Sequence, residues 1–224
     1  MSLRLAAHLA RYVDRLMDDI PSPIDLRNMA DAQRWAESAM PRRPWRRDFF
    51  RAIVNELSRL APTPRSVLEL GSGPGFLAET VLAGLPELAY IALDFSPAMH
   101  TLARERLGGL ASHVRFWEAD FKDPRWTAGL PTVDAVVTMQ AVHELRHKRH
   151  APVLYAQVRS ILRSGGALLV CDHIVGPGGM SDVALYMTPE EQEAALLAGG
   201  FAHIRRLREE KGLALFRAEQ TMAA

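Results

Sequence analysis

The apolar positions of this 224-residue chain follow two different rhythms. Up to about residue 60 they recur at helical spacing, with no strand pattern. Leu5, Leu9, Tyr12, Val13, Leu16 and Met17 line one face of a first amphipathic helix. Ile20-Pro21-Ser22-Pro23 ends it. A second helix is predicted over residues 24–40, broken by Pro41 and Pro44, and a third over residues 45–60. Ala61-Pro62-Thr63-Pro64 reads as a stiff linker. Beyond it, short apolar runs alternate with helical stretches. Strands are predicted at 67–70, 88–94, 114–121, 133–138 and 167–171, with helices at 76–83, from Ser96-Pro97 onward, and at 149–162. Thr188-Pro189-Glu190-Glu191 is a capping box with proline at the first helical position, and Gly199-Gly200 stops that helix. Residues 202–208 and 213–217 flank a turn containing Lys211-Gly212 and read as a hairpin. The chain thus divides into a helical cap or lid, residues 1–61, and an α/β domain, residues 62–224.

Composition narrows the classes. At 48% hydrophobic the chain can bury one good core, and a formal charge of +1 gives no general push toward nucleic acid or a membrane surface. Cys171 is the only cysteine, so no intrachain disulfide forms. The apolar stretch Leu5 to Ala10 is too short for a signal peptide or a membrane span, and Asp14, Asp18 and Asp19 fit poorly with a transit peptide. The expectation is a cytoplasmic protein.

The chemistry gathers at the strand ends. After the first strand comes Glu69-Leu70-Gly71-Ser72-Gly73-Pro74-Gly75, a glycine turn leading into a helix, where bare backbone and a helix N-terminus can meet a nucleotide-like ligand. Asp94 ends the second strand 23 residues after Gly71, close to the offset of a ribose-binding acid, and can accept from both ribose hydroxyls. Ser96 and Pro97 supply an N-cap and first residue for the next helix. The third strand run ends in Asp120-Phe121. The spacing is E-x-G-x-G-x-G, whereas dinucleotide oxidoreductases use G-x-G-x-x-G and have no use for Glu69.

These residues resemble the first motifs of the Rossmann-like S-adenosylmethionine-dependent methyltransferases, over roughly residues 62–219. The resemblance implies a seven-stranded sheet of order 3-2-1-4-5-7-6 with strand 7 antiparallel, carrying an N-terminal helical cap. It implies S-adenosyl-L-methionine as cofactor, held by Glu69, Gly71, Ser72, Gly73, Gly75, Asp94, Phe95, Met99, Asp120, Phe121 and Gln140. Asp120 would accept from the adenine amino group while Phe121 packs on the ring. Methyl transfer would be an in-line displacement onto a small-molecule acceptor. A non-catalytic binding protein of this family and an RNA or protein methyltransferase stay open as alternatives. The end of strand four lacks the Asp/Asn-Pro-Pro-aromatic tetrapeptide associated with amino methylation of DNA bases, which argues against a nucleic-acid enzyme of that type.

Three further groups follow. His143 lies where the family places the transferred methyl and can serve as general base, with Glu144 as second candidate. Trp35, Arg46 and Tyr186 are possible cofactor or substrate contacts, Arg46 as one of a cluster running from Arg42 to Arg47. His143-Glu144-Leu145-Arg146-His147 spells the zinc-peptidase signature, but it follows a strand and precedes Pro152, so no metal is expected there and His147 and His150 read as a solvated helix start.

Overall fold

A computed structural model describes residues 18–60 and 63–220. The first predicted helix up to Met17 and the Ala61-Pro62 part of the linker lie outside the described residues. Two helices come first, α1 (Met29–Arg42) and α2 (Arg46–Ser58). Then follow β1 (Ser66–Leu70), α3 (Phe76–Gly84), β2 (Ala89–Asp94), α4 (Pro97–Leu107), β3 (Val114–Glu118) and β4 (Val133–Met139). The chain closes with α5 (Ala151–Ile161), β5 (Leu162–His173), α6 (Pro189–Ala198), β6 (His203–Glu210) and β7 (Leu213–Glu219). The seven strands form one sheet of order β3-β2-β1-β4-β5-β7-β6, in which β7 runs antiparallel to β5 and β6, the order the resemblance implies.

Successive side chains of a strand point to opposite faces, and both faces here are covered by helices, so the central strands are apolar almost throughout. Leu68, Leu70, Val136, Leu168 and Val170 pack with Leu154, Tyr155 and Val158 of α5. Val67, Tyr90, Ala135, Val137 and Leu169 pack on the other face with Leu77 and Val81 of α3 and with Phe49, Ile53 and Leu57 of α2. Glu69 is the buried polar residue of β1, and it shares the α2/α3 face with Val67.

Several boundaries differ from the sequence pattern for local reasons. β3 stops at Glu118 because Asp120 accepts from the Lys122 N–H at 3.0 Å, an Asx turn that takes the chain out of the sheet. β5 begins at Leu162, and the expected turn at 163–166 is an irregularity inside it, Val133 pairing with Leu162 and Ala135 with Ala167. α1 starts at Met29, five residues later than the pattern suggests, because the Asn28 side chain accepts from Ala30 and Asp31 N–H and caps it there. Pro41 does not end α1; it sits in the last turn, and the helix stops one residue later. Among the described residues no helix is long and apolar enough to cross a membrane.

The residues before α1 form a strap over the carboxyl ends of the parallel strands. Arg146, in a left-handed conformation at φ 68°, donates from Nε to the Ile20 carbonyl at 2.7 Å and from Nη2 to the Pro21 carbonyl at 2.9 Å. Its own carbonyl accepts from Ile20 N–H at 2.8 Å. Further along, Ser96 Oγ donates to the Leu26 carbonyl at 2.5 Å, and the Arg27 guanidinium lies 4.4 Å from the centre of the Phe95 ring.

Candidate active site

Beneath the strap lies a cavity of about 220 Å³ at the carboxyl ends of β1, β2, β4 and β5. Its floor is the glycine loop. Gly71 and Ser72 N–H both donate to the Leu93 carbonyl at 2.9 Å, which ties the loop to the end of β2. Gly71 has φ +70°, and a Cβ there would stand 2.4 Å from that of Ala141, so loop and β4 end touch backbone to side chain. Asp94 is 5% exposed and braces the loop from the other side, accepting from Gly73 N–H at 2.7 Å and from Ser96 N–H at 3.0 Å. Burial pushes its carboxyl up to about 6, against the pull of those donors. Glu69, buried deeper, is raised by the same loss of solvent to about 8, and Tyr90 donates to its Oε2 at 2.8 Å.

Two polar groups lining this cavity have no hydrogen-bond partner among the described residues, although both are buried: the Ser72 hydroxyl and Nε of Arg46. Arg46 is 5% exposed, its guanidinium 5.7 Å from the Trp35 ring centre, and burial followed by the Arg43 charge lowers it to about 10, still a cation at neutral pH. A buried donor left unmade costs about 1–3 kcal/mol. A buried acid, a buried cation and an unpaired hydroxyl around one cavity suit a zwitterionic ligand such as the methionine end of S-adenosylmethionine. At Gly73 an added Cβ would meet nothing within 4 Å, so the loop leaves bare backbone facing the open cavity.

The structure brings Glu69, Gly71, Ser72, Gly73, Asp94, Phe95, Met99, Phe121 and Gln140 around this cavity, together with Trp35, Arg46, His143, Glu144 and Tyr186. Asp120 lines instead an adjoining groove of about 570 Å³ that shares Ile24, Leu26, Phe95, Phe121 and Glu144 with it, and there Arg27 lies 3.7 Å away. Gly75 lines neither; it packs against Ala103 of α4.

The opposite wall holds a group that the sequence reading half saw. β4 ends at Met139, Gln140 turns with φ 57°, and the following 3-10 turn (Val142–Leu145) presents His143. Its Nδ1 lies 2.7 Å from Oδ1 of Asp172, whose Oδ2 accepts from His143 N–H at 3.0 Å. Nε2 faces Glu144 Oε1 at 3.4 Å. Burial alone would push the imidazole down; the Asp172 carboxylate prevails and raises it to about 9. Burial likewise drives Asp172 up, but His143 holds it below its ordinary value, so the resting pair is imidazolium and carboxylate. His173 behaves oppositely: burial takes it down to about 3, and as a neutral ring it accepts at Nε2 from the Gln140 amide, 2.7 Å away. Tyr186 sits 5.4 Å from the His143 ring and 5.8 Å from His173.

Asp172 is the residue that sequence reasoning passed over. The available signal was a carboxylate closing the apolar run Leu168 to Cys171. Phe50, Met139 and His173 are further wall residues found only in three dimensions, and Arg43 of the basic cluster joins them. The zinc signature runs from a 3-10 turn (Val142–Leu145) through left-handed Arg146 to His147, the extended N-cap of the next 3-10 turn (Lys148–His150), so its histidines share no helical face. His147 corrects another expectation: it is 6% exposed, not solvated, and its Nδ1 accepts from Arg149 N–H.

A family profile described as a methyltransferase domain matches residues 67–166, from β1 into β5. The chain is 29% identical over 120 residues to malonyl-[acyl-carrier protein] O-methyltransferase of Paenibacillus sp. (strain JDR-2), covering 53% of this chain and 42% of that one. It is 35% identical over 121 residues to trans-aconitate 2-methyltransferase of Acidovorax sp. (strain JS42), covering 54% and 43%. The chain thus spans less than half the length of either relative. Human N-acetylserotonin methyltransferase, solved with S-adenosylmethionine, superposes with a TM-score of 0.68 at 16% identity, over 87% of this chain and 57% of that one.

Proposed function

We propose, from the premise that this chain is a member of the Rossmann-like S-adenosylmethionine-dependent methyltransferase family, that it transfers a methyl group to a small-molecule acceptor. The observation that carries the reading is the meeting in one cleft of the glycine loop, with the unpaired Ser72 hydroxyl and Arg46 guanidinium, and the buried His143–Asp172 pair. S-adenosylmethionine, when bound, supplies the electrophilic methyl group. Glu69 receives the ammonium and Arg46 the carboxylate of its methionine portion. Each oxygen of Asp94 already accepts one backbone N–H and keeps a lone pair for a ribose hydroxyl. Phe95 and Phe121 flank the base, and Asp120 in the adjoining groove accepts from its amino group. Gln140 and Tyr186 fix the wall around His143.

Where the acceptor is a hydroxyl, neutral His143 takes its proton at Nε2, and Asp172 stabilises the imidazolium that results. That buried pair favours an enzyme over a binding protein, which has no use for a polarised imidazole beside the ligand. The strap and Trp35 leave room for a small molecule, in keeping with the acceptor for which the aconitate relative is named. A cytoplasmic place of action suits the single buried thiol, Cys171.

Calorimetric titration with S-adenosylhomocysteine tests the reading. With Glu69 near 8 in the free protein, most molecules carry its proton at pH 7, whereas an ammonium partner requires the carboxylate. Binding at pH 7 should therefore release about one proton, seen as an enthalpy that tracks the buffer's ionisation heat, and affinity should rise with pH up to about 8. Absence of binding would sink the proposal; binding without proton release would remove Glu69 from the ammonium site.

We further infer that the segment up to residue 61 caps a cofactor-binding domain at 62–224, and that its moving part is the strap with α1. Phe49, Ile53 and Leu57 tie α2 into the core of the sheet, while the strap is held by separate polar contacts from Arg146, Ser96 and, at Asp19, Arg149 and His150. Hydrogen exchange in residues 18–40 should slow when S-adenosylhomocysteine binds, with α2 unchanged. Equal protection with and without ligand would mean a fixed cover.

A further inference from the structure

The Arg42–Arg47 cluster does not act as one unit. Arg46 turns into the cofactor cavity and Arg47 faces a groove on the outer side of α3. Arg42 and Arg43 line a separate annex of about 370 Å³, which opens off the cavity through the shared residues Arg43, His173 and Met180. Lys211 stands on the far side of the annex, over the Trp45 ring at 5.2 Å. Three cations therefore border the annex, and no carboxylate does. Lys211 has Glu210 at 3.4 Å, but neither Arg42 nor Arg43 enters any ion pair among the described residues. Nearby guanidiniums behave differently: Arg51 pairs with Asp48, Arg208 with Glu210, and Arg217 with Glu56.

From these observations, and resting on the methyltransferase reading above, we infer that the methyl acceptor carries an anionic group, a carboxylate or a phosphate, which seats in this annex between Arg42, Arg43 and Lys211. Arg43 is half-buried, and its charge opposes protonation of both Arg46 and His173. Holding two guanidiniums close together away from solvent is unfavourable unless anions accompany them. The cofactor brings one carboxylate, which Arg46 accounts for. Arg43 and the annex are left without a counter-ion. His173 is neutral and cannot replace one, and the rest of the lining is Trp45, Met180 and the glycine backbone at 178, 179 and 212, none of which carries a negative charge. Among the described residues Arg42, Arg43 and Lys211 carry the charged groups of this lining, so the cationic heads are its recognition chemistry. Pro44 follows Arg43 directly and breaks the helix there, which sets the two arginines at the mouth instead of continuing α1 into α2. An acceptor anchored in the annex passes His173 to reach His143, whose ring lies 5.4 Å from that of His173.

The test uses the full chain saturated with S-adenosylhomocysteine, titrated by ligand-observed NMR with benzoate, succinate and phenyl phosphate and with the neutral benzamide and succinamide. The anions should bind at least about tenfold more tightly than the amides, as charge-assisted pairing predicts. Comparison of benzoate with phenyl phosphate identifies which anion the annex prefers. In the double variant Arg42→Gln/Lys211→Gln, whose positions line the annex and not the cofactor cavity, the preference should fall at least about threefold while affinity for S-adenosylhomocysteine is unchanged. Amides binding as well as anions, no anion binding, or a preference that falls by less than that in the double variant would each overturn the inference. A double variant with weakened S-adenosylhomocysteine binding would also overturn it, by moving the annex cations to the cofactor. Failure of the wild-type chain to bind S-adenosylhomocysteine at all is seen in the first titration and would bring down the methyltransferase reading itself.

Discussion

Replacing Gly73 with valine is expected to abolish measurable binding of S-adenosylhomocysteine while leaving a folded protein. Gly73 has φ +52°, lines the cavity and offers its N–H to Asp94 at 2.7 Å. A Cβ built there meets no protein atom within 4 Å, so the new side chain points into the space a ligand must occupy. The left-handed backbone costs a β-branched residue roughly 1–3 kcal/mol, which lowers the melting temperature without preventing folding. Loss of affinity should exceed about a hundredfold, since a branched side chain would hold the ligand off the loop and forfeit several contacts together. Gly71 provides the contrast. Its Cβ would collide with that of Ala141 at 2.4 Å, so Gly71→Val should chiefly destabilise the junction of β1 and β4. Calorimetry and thermal unfolding on both variants separate the effects. Wild-type affinity in Gly73→Val would mean that the cofactor does not approach this loop.

The alternation of apolar runs and helical stretches was enough to read the sheet, its order following from the resemblance carried by Glu69 to Gly75. Strand signals are strong here because both faces are buried, so β1, β2 and β4 carry apolar residues on both faces in place of a polar–apolar alternation. What escaped was decided by single polar side chains. Asn28 fixes where α1 begins, Asp120 ends β3 by closing an Asx turn, and Arg146 pins the strap across a sequence separation of 126 residues. No periodicity encodes such bonds. The site divides in the same way. Residues on the glycine loop and at the strand ends could be placed from spacing, because spacing within one βαβ unit is nearly rigid. Asp172 could not, since its role depends on β5, and the basic cluster could be picked out but not divided, since which of its arginines faces the cavity depends on a helix end outside that unit.

The His143–Asp172 pair carries the second large expectation. Turnover of a hydroxyl acceptor needs the neutral imidazole, and Asp172 raises His143 to about 9. The rate should therefore climb as pH rises, along a limb centred near that value, because deprotonation creates the base. His143→Ala should lower turnover by roughly 10²–10⁴-fold and lose the limb, with affinity for S-adenosylhomocysteine intact. Asp172→Asn is the more discriminating variant. It removes the larger of the two charges that oppose burial, leaving Glu144 at 3.4 Å, so the imidazole should fall from about 9 and the limb should move toward acid pH. Turnover should fall as well, because the imidazolium formed during transfer loses its counter-charge and its Nδ1 acceptor at 2.7 Å. A residue that merely shaped the wall would leave the position of the limb untouched. If Asp172→Asn keeps the wild-type profile, the limb belongs to another group. If His143→Ala keeps both its rate and its limb, the acceptor sheds its proton without help from His143, and the pair serves to hold the β4 and β5 ends together.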